Sequence, residues 1–468
     1  MDVLLIKPFS NTPISPLPIG LLYVGTFLKK YGHSVRILDA HINKIKVKKI
    51  PSIIRELNPD IIGITNMTSE TVFMRRMTEA IKNSFPDIKI ILGGPHISSF
   101  KRIEFEQNPF IDYGVIGEGE VSSLELIRRI EENVEPSDVS GIIYRRNKEI
   151  IETGPSEFVE NIDILPIPDF SLINMEDYFK YFGTAFNLVV ATDRIYPLMS
   201  SRGCPFGCKF CHNIFGRRIR YFSIERIIEE INLVKKKFGV EEIDFLDDTI
   251  NANNKKTLEL FEALPYKKEL HYAIPSGVRG DLFSEELLFI MKEIGLFRIN
   301  IAFESAVQRI LDISGKNMKI EKTIENTYRL KGVSRLIGGF FMFGFPTETE
   351  GDIMDTIELM QKLPLHTASV SFVTPYPDTA FFRFAEERYP LSKIIDKLIR
   401  YDTFYSEPIS ICEVSEDRLM ELKKIAVRKF YIDIDRIIRN IKDVPNYYSL
   451  IRNGINVLKL SIFKNVPY

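Results

Sequence analysis

Apolar positions along this chain come in short blocks and helical stripes that alternate. VLLIK (3–7), VRIL (35–38), DIIGIT (60–65), KIILGG (89–94) and DYGVIG (112–117) each read as a strand buried on both faces. Between them, IGLLYVGTFLKKYG (19–32) and TVFMRRMTEAIKNSF (71–85) place apolar residues three and four apart, the period of a helix covering a sheet. Strand–helix alternation with short connections predicts a parallel, doubly wound, Rossmann-like sheet over residues 1–138. Ligands of such sheets bind beyond the carboxyl ends of the strands, here followed by GGPHISS (93–99) and GEGEVSS (117–123). VSGIIYRRNKEIIETG (139–154) predicts a hairpin, and ENIDILPIPDFSLINMEDYF (160–179), with two prolines and no clear period, predicts a strap; hairpin and linker occupy 139–190.

A second alternation follows. YPLMSS (196–201), EIDFLD (242–247), HYAIP (271–275), FRINIAF (297–303), IGGFFMF (337–343) and ASVSFV (368–373) are predicted strands, separated by helical stretches such as SIERIIEEINLVKKKFG (223–239) and SEELLFIMKEIG (284–295). Six βα units predict a partial (β/α)6 barrel over 191–385, with function collected at the carboxyl rim of its strands. Residues 386–468 are predicted helical, most clearly over 416–441. The fold class is therefore α/β: a doubly wound sheet, a partial barrel and a helical C-terminal region.

Composition removes several function classes. The 62 basic and 63 acidic residues leave a net charge of −1, so no global field recruits nucleic acid. Runs such as KIKVKK (44–49) and VKKKFG (234–239) read as solvated helix faces. The N-terminal MDVLLIKPFS lacks the pattern of a secretion signal, and no window approaches the roughly eighteen apolar residues of a membrane span. Four cysteines in 468 residues argue against a disulfide framework and for a reducing interior, so a cytoplasmic protein is expected.

Three of those cysteines crowd into SSRGCPFGCKFCHN (200–213), directly after the first barrel strand. Cys204, Cys208 and Cys211 have the spacing C-x3-C-x2-C, and the glycines and proline between them let the backbone curl until three thiolates converge. Soft thiolates favour zinc or an iron–sulfur cluster, and structural zinc takes four protein ligands. His212 adjoins Cys211 and cannot easily close a tetrahedron with it, while Cys412, in the apolar PISICEV, reads as a buried inert thiol. The open fourth position is the informative feature, because a [4Fe–4S] cluster held by three cysteines leaves one iron free for a small molecule.

With Phe210 before the last cysteine and SRG leading in, this stretch resembles the signature of the radical S-adenosylmethionine (SAM) superfamily. The resemblance implies a free iron that chelates the amino and carboxylate groups of SAM, and one-electron cleavage to a 5′-deoxyadenosyl radical that abstracts hydrogen from substrate. FLDDTIN (245–251) stands where the family places groups receiving the SAM amino group, with Asp247 and Asp248 in place of Gly-Gly-Glu; helix capping is the other reading of this pair. AFESAVQRIL (302–311) resembles the G-x-E-S segment, which implies Glu304 and Ser305 at the ribose, with Ala302 replacing glycine. Arg279 in GVRGD is implied to pair with the SAM carboxylate, against an ordinary surface role. GGFFMFGFPTET (338–349) resembles the segment beside adenine, although core packing would also account for its phenylalanines.

The first domain resembles the cobalamin-binding domain that precedes the barrel in one branch of that superfamily. The matching segments are 16–41, PDIIGIT (59–65), ILGGPH (91–96), YGVIGEGE (113–120) and the linker's LPIPDF (165–170). The resemblance implies cobalamin on the strand ends, lined by Gly93, Gly94, His96, Gly117 and Gly119; His96 and Glu120 also read as turn and cap residues. The D-x-H-x-x-G loop that supplies an axial histidine elsewhere is missing, as is common in this branch. Methylthiotransferases with a second cluster and maturases with auxiliary clusters are excluded by counting, since residues 1–203 hold no cysteine and only Cys412 follows Cys211.

The expected function is a cobalamin-dependent radical SAM enzyme that methylates an unactivated carbon or phosphinate phosphorus. Radical cyclisation or rearrangement without methyl transfer uses the same cofactors. A zinc-stabilised binding protein is the third reading, and it leaves Glu304 and FLDDTIN unexplained. Implied partners are a small-molecule, lipid or natural-product substrate and an electron donor such as flavodoxin or ferredoxin. The tail YYSLIRNGINVLKLSIFKNVPY (447–468), apolar with basic residues and no acids, is expected either to cap the barrel mouth or to rest on a membrane surface.

Overall fold

A computed structural model describes residues 1–10, 16–182, 190–400, 407–447 and 451. The first sheet holds β1 (Asp2–Lys7), β2 (Ser34–Asp39), β3 (Ile61–Thr65), β4 (Lys89–Gly93), β5 (Tyr113–Val115), β6 (Ile142–Arg146) and β7 (Glu149–Glu152), in the order β2-β1-β3-β4-β5-β6-β7. β1 to β5 are parallel, and the antiparallel hairpin β6–β7 extends the same sheet. Strand order reverses between β1 and β3, so a ligand crevice opens at their carboxyl ends. Alternate side chains serve opposite faces. Leu4, Ile6, Ile62, Ile64 and Leu92 pack with Met74, Met77 and Ile81 of the helix Thr71–Ser84. Val3, Leu5, Ile61 and Ile91 join the core that holds Leu22 and Phe27 of the helix Ile19–Lys30.

The second sheet is built from β8 (Ile195–Leu198), β11 (Glu242–Phe245), β12 (His271–Val278), β13 (Leu296–Glu304), β14 (Leu336–Phe343) and β15 (Thr367–Phe372), in the order β15-β14-β13-β12-β11-β8. All six are parallel, which puts their carboxyl ends on one rim. A short antiparallel ribbon, β9 (Ser201–Arg202) with β10 (Arg220–Tyr221), stands apart from it. The strap between the sheets buries Val159, Ile162, Leu165 and Phe170, and Phe170 lies edge-on to Tyr196 at 5.7 Å. One continuous apolar cluster thus runs from β1 through the strap into the barrel.

Two elements differ from the sequence expectation. YPLMSS does not run as one strand: Asp247 accepts hydrogen bonds from Ser200 N and Oγ and from Ser201 Oγ, and the chain leaves the sheet after Leu198. The helical stretch 416–441 is two helices, Glu416–Tyr431 and Ile434–Asp443, because Asp433 turns to accept from Arg436 N as an N-cap. Residues 448–450 and 452–468 of the tail lie outside the described residues. No helix among the described residues is long and apolar enough to cross a membrane.

Glu348, in the turn after β14, is buried. Its Oε2 accepts from Gly344 N at 2.6 Å and Phe345 N at 3.1 Å, while Oε1 has no partner among the described residues. Burial pushes its pKa from 4.5 to about 8. The folded state therefore holds this proton more tightly than the unfolded chain, so the stability it contributes is present at low pH and falls as pH rises through that interval. In urea unfolding across that window, Glu348→Gln is expected to remove a fall in stability on the order of 5 kcal/mol. Parallel pH profiles for variant and parent would contradict this assignment.

Candidate functional site

The cysteine loop leaves and re-enters the structure through the β9–β10 ribbon. Gly203 has φ +99°, and a Cβ there would lie 2.3 Å from the Arg218 carbonyl oxygen, so only glycine fits the crossing. Cys204 N donates to Gly216 O at 3.1 Å, and Cys211 N to Cys208 O at 3.2 Å. Asp248 accepts from Gly203 N at 2.9 Å, while the buried Asp247, pushed up to about 6 by burial, anchors Ser200 and Ser201. Both carboxylates hold the root of the loop at the end of β11. Its far side rests on the end of the short helix Gln308–Ile313, where Lys209 N donates to Ser314 O at 2.8 Å.

Cys204 and Cys208 are half-buried and Cys211 is exposed. Packing around the sulfur, and then the negative charge of Cys208, Cys204, Asp248 and Glu304, pushes the Cys211 thiol up to about 12. Burial likewise raises Cys208, with Lys316 and Arg279 opposing. Three mutually repelling thiolates become favourable only around metal cations, which deprotonate a coordinating thiol outright. The donor set therefore fits an iron–sulfur cluster with one open position. Among the described residues no three His, Cys, Asp or Glu side chains come close enough to hold a single metal ion. Cys412 is buried elsewhere, its Sγ 3.3 Å from Val414 N.

Glu304 ends β13 with φ +65°, a strained conformation for a residue with a side chain, and lies buried with Oε1 2.7 Å from Lys316 Nζ. Lys316 also donates to Ala302 O at 2.5 Å. Four of the five Arg279 N–H groups are engaged: it pairs with both oxygens of Asp281, donates to the carbonyls of Lys316 and Asn317, and lies 4.3 Å from the Phe206 ring centroid. Phe210 packs edge-on to Phe345 at 5.7 Å and near Phe381 at 6.5 Å. Ser305 is fully buried against Thr356. The structure thus gathers Asp248, Arg279 and Glu304 near the thiols and encloses Asp247 and Ser305 as struts. Lys316 escaped the sequence reading; its only local signal is the left-handed Gly315 before it.

On the first domain, Asn66, Gly94, Ser98 and Gly117 knit together the carboxyl ends of β3 to β5. Asn66 N donates to Gly93 O at 3.0 Å, Ser98 Oγ to Gly94 O at 3.0 Å and Gly117 N to Ser98 Oγ at 3.0 Å. Gly94 has φ +93° and no room for a Cβ beside Asn66; a Cβ on Gly93 would meet only Ile64 O, at 3.9 Å. Gly117 backs onto Ser156 of the strap, and Gly119 onto Val24. His96 does not face the crevice. Its ring is fully buried, with Nε2 3.1 Å from Glu104 and Nδ1 3.3 Å from Thr68, and burial pulls its pKa below the usual range. Asn66 Oδ1 and Ser99 Oγ are buried without a hydrogen-bond partner among the described residues. The open edge at Gly93, bonded through its carbonyl to Asn66 with its unpartnered Oδ1, fits a bulky polar ligand such as cobalamin.

The two halves meet in a buried ionic network. Glu118 accepts from Arg202 Nη1 at 3.2 Å and from Arg220 Nη1 at 2.7 Å, and Glu120 accepts from Arg202 Nη2 at 2.6 Å. The strap is tied in, with Val159 N donating to Glu118 at 2.9 Å and Val159 O accepting from Arg220 at 2.8 Å. Arg202 and Arg220 are partners in the ribbon at the base of the cysteine loop. Glu120 is therefore more than a helix cap. Nearby, His212 Nε2 lies 3.3 Å from Pro95 O, a second contact of the loop with the first domain.

Comparison with known proteins finds the B12 binding domain family over residues 14–127 and the radical SAM superfamily over 198–360. An uncharacterized methyltransferase of Pyrococcus horikoshii is 32% identical over 426 residues, 88% of this chain and 90% of that protein. An anaerobic magnesium-protoporphyrin IX monomethyl ester cyclase of Rubrivivax gelatinosus is 28% identical over 374 residues, 78% of this chain and 66% of that protein. Among solved structures, the radical S-adenosylmethionine methyltransferase TsrM of Kitasatospora setae, with cobalamin and a [4Fe–4S] cluster bound, shares the fold. Its TM-score is 0.68 at 18% identity, covering 83% of this chain and 75% of that one.

Glu118→Gln removes a charge shared by two buried arginines and is expected to destabilise the protein by about 3–5 kcal/mol. Iron and sulfide content after reconstitution should fall with it. Arg218→Gln, on the same loop but in an exposed pair with Glu160, is expected to stay within about 0.5 kcal/mol of the parent. Urea unfolding and metal analysis of both variants check the contrast.

Proposed function

The chain belongs to the radical SAM superfamily, in the branch that carries a B12-binding domain ahead of the barrel, and from that premise we propose that it is a cobalamin-dependent methyltransferase. The substrate position methylated would be an unactivated carbon or a phosphinate phosphorus. When bound, the [4Fe–4S] cluster, SAM and cobalamin together supply reductive sulfonium cleavage, hydrogen abstraction and a transferable methyl group. One observation carries the reading: the loop of Cys204, Cys208 and Cys211 is anchored to the segment that follows β5 of the B12-binding domain, through Glu118 and Glu120.

The chain's own residues divide the work. Cys204, Cys208 and Cys211 hold the cluster, with Thr249 Oγ1 3.4 Å from Cys204 Sγ. Glu304, fixed by Lys316, presents a carboxylate for the ribose hydroxyls, and Arg279 and Lys316 offset the negative charge at the thiols. Gly93 and Gly94 would line the corrin edge, and Asn66 would offer it a polar atom. Asp247, Asp248 and Ser305 position these groups from behind. Phe210, with Phe345 and Phe381, keeps water from the rim. The domain limits that go with this reading are 1–138, 139–190, 191–385 and 386–468. The substrate is a small molecule, the reductant a flavodoxin or ferredoxin, and the compartment the cytoplasm.

Similarity to the Rubrivivax cyclase favours a second reading, ring formation without methyl transfer. Anaerobic reconstitution with iron, sulfide and hydroxocobalamin, followed by product analysis, separates the two. Methylation yields S-adenosylhomocysteine and 5′-deoxyadenosine in comparable amounts, whereas cyclisation yields no homocysteine product. Cys208→Ala is expected to abolish cluster absorbance and all 5′-deoxyadenosine. Retained cleavage in that variant would refute the ligand set.

A further inference from the structure

A cavity of about 340 Å³ opens at the amino ends of β4 and β5, the end of the first sheet opposite Gly93 and Gly117. Lys89 begins β4, Tyr113 begins β5, and Arg145 lies on β6 next to the Tyr113–Tyr144 pair. The size is that of a small-ligand site. Its charged lining is Lys82, Lys89, Arg145 and Asp112, so three cations face one carboxylate. Lys82 and Asp112 satisfy each other: Lys82 Nζ lies 2.8 Å from Asp112 Oδ2 and donates to Ile88 O at 2.7 Å. Lys89, half exposed, reaches the other oxygen of Asp112 only at 3.9 Å. Arg145 is half-buried, 5.3 Å from the Phe105 ring centroid, and donates through Nη2 to the carbonyls of Phe105 and Asn108. Its Nε is buried without a hydrogen-bond partner, and it forms no ion pair among the described residues. Burial holds its pKa below the usual range, with only the charge of Asp112 opposing. A desolvated guanidinium without a counter-ion is costly, and a bound anion supplies one.

We propose that this cavity binds a small phosphate monoester, with its phosphate between Lys89 and Arg145. An excess of two positive charges on the lining matches a dianion, whereas a carboxylate would leave one cation unmatched. Arg145 keeps Nε and Nη1 for phosphate oxygens, the acceptors that suit a planar guanidinium. The Tyr113 hydroxyl and the Asn83 amide, both on the lining and neither hydrogen-bonded among the described residues, add neutral donors. Pro86, Pro109, Phe110 and Ile111 complete an apolar wall, which favours an ester with a carbon group over bare inorganic phosphate. The cavity lies at the far end of the sheet from the glycine edge, so its occupant is not a reactant. The inference stands apart from the choice between methylation and cyclisation.

Isothermal titration calorimetry of the full chain with phenyl phosphate tests it. The parent is expected to bind at one site, more tightly than it binds inorganic phosphate, and to show no binding of phenol. Lys89→Met changes an exposed side chain and should keep the parent's thermal unfolding. Its affinity for phenyl phosphate is expected to fall about tenfold, the loss of one charged hydrogen bond. Arg145→Gln, checked for folding by thermal unfolding, is expected to bind more weakly still. No binding of phenyl phosphate by the parent, or parent-like affinity in both variants, overturns the proposal. Inorganic phosphate bound as tightly as phenyl phosphate overturns the monoester assignment. Binding that is lost on loading cluster or cobalamin, and not on these substitutions, would place the ligand at the cofactor sites and overturn it equally.

Discussion

Everything at the centre of this protein depends on two carboxylates from one domain gripping two arginines of the other. Glu118 and Glu120 follow the last parallel strand of the first sheet; Arg202 and Arg220 are the paired residues at the base of the cysteine loop. All four are buried, so each charge has given up hydration that only its partners replace. A hydrophobic contact would tolerate sliding. An ionic network with fixed donors and acceptors does not, which makes it suited to holding two cofactor sites at one separation and orientation.

The same economy governs the rim of the barrel. Residues that resemblance assigns to SAM also support their surroundings in this structure: Asp248 braces the Gly203 crossing, Arg279 ties down the turn at 316–317, and Glu304 is held by Lys316. Glu304 keeps a left-handed backbone at a strand end, where strain persists only because β13, Lys316 and the neighbouring turn over-determine it. The cysteine loop rests on this frame, and the first domain closes over it through His212 and Pro95.

Much of this was legible in the sequence for simple reasons. Strands buried on both faces must be apolar throughout, so the five parallel strands of the first sheet and all six of the barrel could be read from runs such as VLLIK and FRINIAF. The hairpin at 139–154 and the strap with Phe170 were equally visible, since turn residues and prolines act locally. The C-x3-C-x2-C spacing declared soft-metal chemistry because no ordinary packing role asks three thiols to share one turn. Other roles were not legible. His96, in a glycine-rich turn, looked like a ligand-facing residue, but its partners Thr68 and Glu104 come from elsewhere in the chain, and they draw it inside.

What the sequence by itself determined is therefore the periodic and the local: element types, their order, and the rim on which the three clustered cysteines fall. Tertiary structure alone decided the pairings. Glu118 and Arg202 are 84 positions apart, and Ser200 and Asp247 are 47 apart. It also decided which way the isoleucines of the last described helix face, since Arg436 finds its acceptors on Leu365 and Gln361. Charge and hydrogen-bond complementarity between distant segments leaves no period along a chain, because the partners are selected by where the fold brings them.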